Sequence, residues 1–233
     1  MASFQTKGIS AFSLKMIMAV LMVMDHLAYF LPHIFPFWFR YIGRVVAPTF
    51  CYLMTVSLRH TRQRGRYITR LATAGLVMFA GNLALMYTLR GPSIFNNIFL
   101  SLAVGAALIV SVERISQQKE NRPLHMLAIA GLIVACFFIE GSLLLPVTAL
   151  IFYFLRGNKP VMLVAYLLAG TGVVLVTGMR DYQLLQAFAI IPIALYSGGK
   201  GGSAAFSRWF FYLFYPLHIW ALYIIRHLMF FAR

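Results

Sequence analysis

The chain has 233 residues, of which 61% are hydrophobic and 11% are charged, and its mean hydropathy is +0.82. A globule of this size cannot bury so much apolar surface, so the composition excludes a soluble single-domain protein and indicates a chain embedded in lipid. The 20 lysines and arginines outnumber the five acidic residues, but they lie between apolar segments, which indicates a topological role rather than nucleic-acid binding.

Nine apolar segments approach the roughly 17–25 residues that a helix needs to cross the hydrocarbon core. They lie at 12–31, 42–58, 68–89, 96–113, 123–140, 143–156, 160–179, 183–197 and 207–230. The sixth and eighth segments are short. The sequence therefore predicts an all-α fold, a polytopic transmembrane helical bundle of about nine spans that forms one domain over residues 1–233.

Basic residues are concentrated in alternate loops. The richer loops hold Lys7, Lys15, Arg59, Arg62, Arg64, Arg66, Arg70, Arg114, Lys119, Arg122, Arg156, Lys159, Lys200 and Arg208. The other loops and the C-terminal region hold Arg40, Arg44, Arg90, Arg180, Arg226 and Arg233. Because basic loops stay on the inner side of the membrane, the N-terminus is predicted to be cytoplasmic and, with nine spans, the C-terminus external.

The first span carries Asp25 and His26 well inside its apolar run, toward the outer leaflet. An ionisable side chain at the centre of a span costs at least about 2.5–3.5 kcal/mol, so this pair suggests a function. Neighbouring residues point about 100° apart on a helix, so Asp25 cannot simply orient His26, and each needs a partner on another helix. Two interpretations stay open: a hydrogen-bonded pair that holds helices together, or acid–base or nucleophilic chemistry.

The second span begins with Arg40 and Arg44, which lie on one helical face at the outer side, against the positive-inside trend. Because Pro48 lacks an N–H, we expect a kink in the second span beside Arg44. The two arginines either reach out to lipid phosphates or pair with Asp25, Glu140 or an anionic reaction centre. Because isolated charges in hydrocarbon are costly, we expect Asp25 and Arg44 to lie close together.

Four further polar residues lie at or near span ends: Asn82, Asn96, Asn97 and Glu140. An asparagine at the start of a helix is often a cap, whereas Asn97, one residue into an apolar run, is equally placed to direct its amide at a substrate. Glu140 closes the fifth span on the outer side. It is expected to form a structural ion pair or to take a catalytic role.

The ninth span carries Tyr212, Tyr215 and His218 at intervals of three residues, which places them on one face. Pro216 removes the main-chain hydrogen bond to residue 212. Aromatic stripes more often pack helices than serve chemistry, and both interpretations stay open for the two tyrosines. His218 lies near mid-membrane, where an ionisable group suggests a function.

No serine-protease-like triad, zinc motif, redox Cys pair or phosphate-binding loop is present. The polar residues that remain are His, Asp, Arg and Asn in the outer half of a helical bundle. Such a set suits an enzyme that acts on a membrane-embedded substrate, or a transporter.

Several elements in this order resemble the TraX family. They are Leu14-Lys15, Met24-Asp25-His26, Gly43-Arg44 with Pro48 and Phe50, Asn97 to Leu100, and Phe211 to His218. The resemblance implies the founding activity of that family, acetylation of the N-terminal amine of a pilin, and a more distant similarity to multi-span transmembrane acyltransferases. It also implies that His26 is the acyl-transfer histidine with Asp25 beside it, and that Arg44, Asn97 and His218 complete the site.

We therefore expect an acyltransferase-like domain in the bacterial inner membrane that moves acetyl groups from cytoplasmic acetyl-CoA to an outer-face acceptor, most specifically a pilin subunit. His26 would act as general base or as nucleophile, and Arg44 and Asn97 would stabilise the oxyanion. The residues expected to bind substrate are Arg40, Tyr215, Asn96, Asn82 and Glu140. Those expected to bind the acetyl-CoA phosphates are Arg62, Arg64 and Arg66, although the positive-inside rule alone would also produce this basic loop. Neither a metal nor nucleic acid is expected.

Two alternatives stay open at this point. One is a small permease that uses His26, His218 and Asp25 as a proton relay, but secondary transporters usually contain paired repeats, and the sequence has none. The other is a non-enzymatic assembly factor of a pilus or secretion machine, which needs no buried set of ionisable residues.

Overall fold

The computed structural model describes residues 8–117, 121–178, 181–199, 201–202 and 204–230. Five basic residues used for the topology prediction lie outside the described residues: Lys7, Lys119, Arg180, Lys200 and Arg233. The side chains of Asp181 and Arg208 are also outside this description.

The described part of the chain forms ten α-helices and two 3-10 helices. The α-helices are α1 (Ala11–Phe30), α2 (Trp38–Ile42), α3 (Val46–His60), α4 (Arg64–Leu89), α5 (Ile98–Gln117), α6 (Arg122–Cys136), α7 (Leu144–Phe154), α8 (Lys159–Thr177), α9 (Ile190–Leu195) and α10 (Ala204–Phe230). The 3-10 helices are Gly43–Val45 and Asp181–Ala189. The predicted all-α fold is confirmed for these residues.

Within the described residues, six helical segments are long and apolar enough to cross a membrane. They are Ala11–Phe30, Trp38–His60, Arg64–Leu89, Ile98–Ile115, Lys159–Thr177 and Trp209–Phe230. The predicted spans at 123–140, 143–156 and 183–197 correspond to shorter apolar helices, Arg122–Cys136, Leu144–Phe154 and Tyr182–Leu195. The total of nine crossings and the cytoplasmic N-terminus therefore stay predictions.

Large apolar side chains on these helices face outward. Leu76 on α4 is 61% exposed, and Val176 on α8 is 87% exposed. In water such surfaces would be unfavourable, whereas lipid covers them at no cost. The outward apolar faces support the membrane assignment independently of helix length.

Two predicted spans differ from the helices that form: the second is interrupted, and the fifth ends early. The second predicted span is broken by the 3-10 turn Gly43–Val45, which lies just before Pro48, where the missing proline N–H deprives residue 44 of an α-helical donor. The fifth predicted span ends at Cys136 rather than at residue 140. After it, Gly141 and Ser142 take left-handed backbone angles, φ 78° and 46°, that turn the chain.

The described residues group into two compact units. The first contains the chain up to Phe50, Leu85–Pro92, and the chain from Leu185 onward. Within it, α1 packs against α2, the following 3-10 turn and α10. Ile9 and Tyr196 form an isolated parallel β-bridge that joins the start of α1 to the segment after α9.

The second unit contains Cys51–Ala84 and Ser93–Leu184. Its centre is α5, which packs against α6 and α7, and α7 packs in turn against α8. Small residues allow close approach of these helices: a side chain at Gly75 on α4 would collide with Leu100 of α5, whose Cγ lies 2.6 Å from the position of a Cβ.

Candidate active site

Asp25 is the centre of a buried charged cluster in the first unit. Its Oδ1 accepts a hydrogen bond from Arg44 Nη2 at 2.5 Å, and its Oδ2 accepts one from Arg40 Nη1 at 3.0 Å. The side chains of Arg40, Arg44 and Asp25 are 12%, 14% and 9% exposed. The predicted proximity of Asp25 and Arg44 is confirmed, and Arg40 binds the same carboxylate.

The break after α2 allows both arginines to reach Asp25. Arg40 lies in α2 and Arg44 lies in the 3-10 turn, where its Nε donates to the main-chain oxygen of Arg40 at 2.9 Å. Gly43 provides the room, because a Cβ there would lie 2.6 Å from Asp25 Cγ and 2.8 Å from its Oδ1. The Tyr29 ring, one turn beyond Asp25 on α1, lies 4.8 Å from the Arg40 guanidinium carbon.

The three side chains of this cluster carry a net positive charge. Arg40 and Arg44 contribute two guanidiniums and Asp25 contributes one carboxylate, which sum to +1. A net positive charge in a medium of low dielectric favours a negative group beside it. The arrangement is therefore suited to stabilise an anion beside Asp25.

His26 finds its partner on α10 rather than in its neighbour Asp25. Its Nδ1 lies 2.8 Å from His218 Nε2, and the two rings are close to coplanar, with an interplanar angle of 26°. The distance from His26 Nε2 to Asp25 Oδ2 is 3.9 Å, which is too long for a hydrogen bond. The prediction that each residue of the pair needs a partner on another helix is confirmed.

Aromatic rings hold the two histidines in place. Phe214 stacks on His218 with centroids 4.9 Å apart, and His218 Nδ1 lies 2.8 Å from the Phe214 main-chain oxygen. Tyr215, 4% exposed, lies 6.3 Å from the His26 ring and 5.5 Å from the His218 ring, between centroids. Tyr215 therefore packs beside the histidine pair. We refer to Asp25, His26, Arg40, Arg44 and His218 as the arginine–histidine cluster.

The three predicted asparagines lie in the second unit, and the side chains of Asn82 and Asn97 bond to main-chain atoms. Asn82 Nδ2 donates to the carbonyls of Ile94 and Asn96 at 3.3 and 3.2 Å. Asn97, 6% exposed, donates from Nδ2 to the Gly75 carbonyl at 2.8 Å. Its Oδ1 lies 3.4 Å from the N–H of residue 100, in the position of a helix cap.

Glu140 bonds to the start of α5. Its Oε2 accepts from the Asn97 main-chain N–H at 2.6 Å, and its own carbonyl accepts from Ser101 Oγ at 2.6 Å. A carboxylate at a helix N-terminus satisfies an N–H that has no partner within the helix and is favoured by the helix dipole. We refer to Asn82, Asn97, Ser101 and Glu140 as the asparagine–glutamate cluster.

The basic segment 62–66, which comprises the end of the loop before α4 and the first turn of that helix, contains engaged and exposed arginines. Arg64 Nη1 donates to Glu113 Oε2, and Tyr153 OH donates to the other oxygen of the same carboxylate at 2.8 Å. Arg62 and Arg66 are exposed. Arg64 thus contributes to the packing of the second unit, and the two exposed arginines remain the better placed for an anionic ligand.

Sequence reasoning did not single out Tyr29 or Glu113. Tyr29 follows Asp25 by four residues and so shares its helical face, a spacing that would have identified it. Glu113 is one of only five acidic residues against 20 basic ones, and that scarcity would have predicted an arginine partner. The catalytic roles predicted for His26, Asp25, Arg44, Asn97 and His218 stay predictions.

A family model described as TraX protein matches residues 10–226. The chain is also similar to a curated protein of Dichelobacter nodosus named "Probable fimbrial assembly protein FimC, serogroup H1". The two are 27% identical over 233 residues, which cover 90% of this chain and 93% of the relative. No solved structure matches the chain.

Proposed function

This chain belongs to the TraX family, and on that premise we propose that it is a membrane-integral acetyltransferase. It transfers the acetyl group of cytoplasmic acetyl-CoA to an acceptor at the outer face of the bacterial inner membrane. The acceptor we favour is the N-terminal amine of a pilin subunit. The fimbrial name of the Dichelobacter nodosus relative supports the link to pili, and the six long apolar helices support the membrane location.

The observation that carries the proposal is a buried imidazole next to an excess of positive charge. His26 is 4% exposed, and its Nε2 faces the carboxylate that Arg40 and Arg44 bind. Acyl transfer needs a group that removes a proton from the attacking amine and positive groups that stabilise the negative charge on the carbonyl oxygen. The arginine–histidine cluster holds both kinds of group.

The reaction can be written with these residues. The acceptor amine attacks the thioester carbonyl while His26 Nε2 takes its proton, and the carbonyl π electrons move onto oxygen. The resulting oxyanion is the further negative group that the Arg40–Arg44–Asp25 charges favour. Collapse of the tetrahedral intermediate breaks the C–S bond, and the CoA thiolate takes the proton back from His26. The products are the acetylated amine and free CoA, and His26 is regenerated.

A covalent form of the same chemistry uses the same nitrogen. His26 Nε2 would attack the thioester, release CoA and carry the acetyl group to the amine in a second step. This form suits a donor and an acceptor that enter from opposite sides of the membrane. Ping-pong kinetics and acetyl label retained on the protein would identify it, whereas a general base requires both substrates together.

Donor binding on the cytoplasmic side is assigned to the basic segment 62–66, at the loop before α4 and the first turn of that helix. Arg62 and Arg66 are exposed, and paired guanidiniums suit phosphate groups. Arg64, which donates to Glu113, would support the loop rather than bind phosphate itself. The proposed route of acetyl-CoA depends on the predicted cytoplasmic position of this loop.

The test compares full-length wild-type protein with His26 variants in proteoliposomes that contain acetyl-CoA and a pilin subunit, with the pilin N-terminus analysed by mass spectrometry. We expect His26→Ala and His26→Gln to lower acetyl transfer by about 10²- to 10⁴-fold, the usual contribution of a general base. Glutamine retains hydrogen bonding but cannot take up a proton. The matched control is His33→Ala, because His33 is exposed. More than about a hundredth of wild-type activity in His26→Ala would contradict the assignment.

The fimbrial name of the relative favours a second candidate, a non-enzymatic assembly factor. Such a protein would use the buried cluster only to hold its helices together. The test compares wild-type cells with cells that carry His26→Gln. Pilus assembly in both, with pilin unacetylated in both, would favour this candidate over the acetyltransferase.

A further inference from the structure

The hydrogen-bond chain through the two histidines has a defined direction. The Phe214 main-chain oxygen can only accept, so His218 Nδ1, at 2.8 Å, carries a hydrogen and donates to it. In neutral His218 the other nitrogen, Nε2, then bears the lone pair and is an acceptor. His26 Nδ1, 2.8 Å from that atom, must therefore carry a hydrogen and donate it.

This direction settles which nitrogen of His26 is basic. With a hydrogen on Nδ1, neutral His26 carries its lone pair on Nε2, the nitrogen that faces Asp25 and its arginines. Asp25 cannot impose this tautomer, because its Oδ2 lies 3.9 Å from that nitrogen. Both ring nitrogens of His218 are engaged, one with Phe214 and one with His26, so His218 is not placed to attack or deprotonate a substrate itself.

The same chain offers a place for the positive charge that forms during reaction. When His26 Nε2 takes a proton, the charge forms beside the guanidiniums of Arg40 and Arg44, and like charges repel in a medium of low dielectric. The hydrogen on His26 Nδ1 can pass to His218 Nε2, which leaves His26 neutral and His218 cationic. The charge then lies one ring further from the arginines, and His218 still donates to the Phe214 oxygen.

We infer that His218 is the positioning residue of His26: it fixes the tautomer with the lone pair on Nε2, and it accepts the positive charge when His26 is protonated. The role in charge uptake rests on the proposed acetyl transfer, whereas the tautomer does not. A histidine fits this position better than a carboxylate for a physical reason. It is neutral at rest, so its burial in the bundle costs less than that of a charged partner.

Two substitutions at His218 separate the two roles. In His218→Gln the amide Oε1 would lie close to the position of the imidazole Nε2 and could accept the hydrogen bond from His26 Nδ1, but an amide cannot take up a proton. In His218→Phe a flat ring would remain in the stack with Phe214 and would offer no acceptor. We expect His218→Gln to keep the tautomer and lose only charge uptake, and His218→Phe to lose both.

The experiment measures ¹⁵N shifts of the histidine ring nitrogens in the full chain, labelled with [¹⁵N]histidine and reconstituted in lipid. Protonated and unprotonated ring nitrogens have well-separated shifts, and the His26 signals are those that disappear in His26→Gln. Wild type and His218→Gln should show a protonated Nδ1 and an unprotonated Nε2 at His26. His218→Phe should show a mixture of tautomers. His33→Phe is the control that should leave these signals unchanged.

Turnover measurements on the same variants test charge uptake. We expect kcat to fall by about tenfold in His218→Gln and by about 10²- to 10⁴-fold in His218→Phe, with KM for acetyl-CoA unchanged in both. A wild-type His26 with its hydrogen on Nε2, or a His218→Phe variant that keeps the tautomer, would overturn the assignment. If no acetyl transfer is found with any acceptor but the tautomers behave as expected, the acetyltransferase proposal fails and the positioning role of His218 stands.

Discussion

The arginine–histidine cluster and the asparagine–glutamate cluster both place polar residues among apolar helices, but their side chains bond to different partners. In the first, side chains bond mainly to other side chains, as between Asp25 and Arg44 or between His26 and His218. In the second, side chains bond mainly to main-chain atoms, as from Asn97 to the Gly75 carbonyl. The first arrangement can change its protonation or bind a ligand without unfolding a helix, whereas the second stabilises the helices themselves.

This difference predicts how the two clusters respond to substitution. Removing one member of a buried ion pair leaves an uncompensated charge, which typically costs about 3–5 kcal/mol. Removing a side chain that satisfies a buried main-chain group typically costs about 1–3 kcal/mol. Changes in the arginine–histidine cluster should therefore affect both stability and activity, and changes in the asparagine–glutamate cluster should affect stability alone.

The largest effect on stability is expected for Asp25→Asn. It leaves Arg40 and Arg44 without their carboxylate, and we expect the free energy of unfolding to fall by about 3–5 kcal/mol, with loss of acetyl transfer. Unfolding of the reconstituted protein by titration with a denaturing detergent measures the first effect. The double variant Asp25→Asn/Arg44→Gln has the same net charge in the cluster as wild type and should recover part of the stability. An unchanged unfolding midpoint in Asp25→Asn would show that the ion pairs contribute little.

An intermediate effect is expected for Asn97→Ala, which sharpens the comparison because this residue was predicted to stabilise the oxyanion. Loss of its bond to the Gly75 carbonyl should lower stability by about 1–3 kcal/mol, while kcat of the folded fraction stays within about tenfold of wild type. A donor to an oxyanion would instead contribute about 10²- to 10³-fold to kcat, and such a loss would restore the catalytic role. The matched control is Asn96→Ala. Asn82 donates to the main-chain oxygen of residue 96, and alanine retains that oxygen.

The smallest effect is expected for Glu140→Gln. The amide oxygen can still accept from the Asn97 N–H, but the 2.6 Å hydrogen bond loses its charge. Since hydrogen bonds to charged groups contribute about 1 kcal/mol more than neutral ones, we expect a loss of about that size in the free energy of unfolding. Acetyl transfer at a temperature where both proteins are folded should be unchanged. A fall in kcat of about 10²-fold, the size expected of a catalytic acid or base, would place Glu140 in the chemistry.

Much of this structure follows from the sequence because charges in hydrocarbon are costly. The helices lie along the chain where the apolar segments predicted them. The pairing of Asp25 with Arg44 follows from the need to compensate each charge. The kink predicted beside Arg44 from Pro48 coincides with the 3-10 turn Gly43–Val45. These features depend on local composition and on free-energy costs that a sequence displays directly.

Other features depend on how distant segments pack, which local patterns do not display. His26 and His218 were both singled out, but their bond joins residues 192 positions apart and depends on the contact between α1 and α10. Glu140 was expected to form an ion pair or to be catalytic. Its bond to α5 is made from the turn where Gly141 and Ser142 adopt left-handed angles. The engagement of Arg64 by Glu113 also joins two separate helices.

The space at Gly43 has a consequence for how this sequence can evolve. A methyl group at that position would overlap the Asp25 carboxylate, whose Cγ would lie 2.6 Å away. An aspartate at position 25 therefore requires glycine at position 43. Lineages that keep an aspartate at position 25 should keep glycine at position 43.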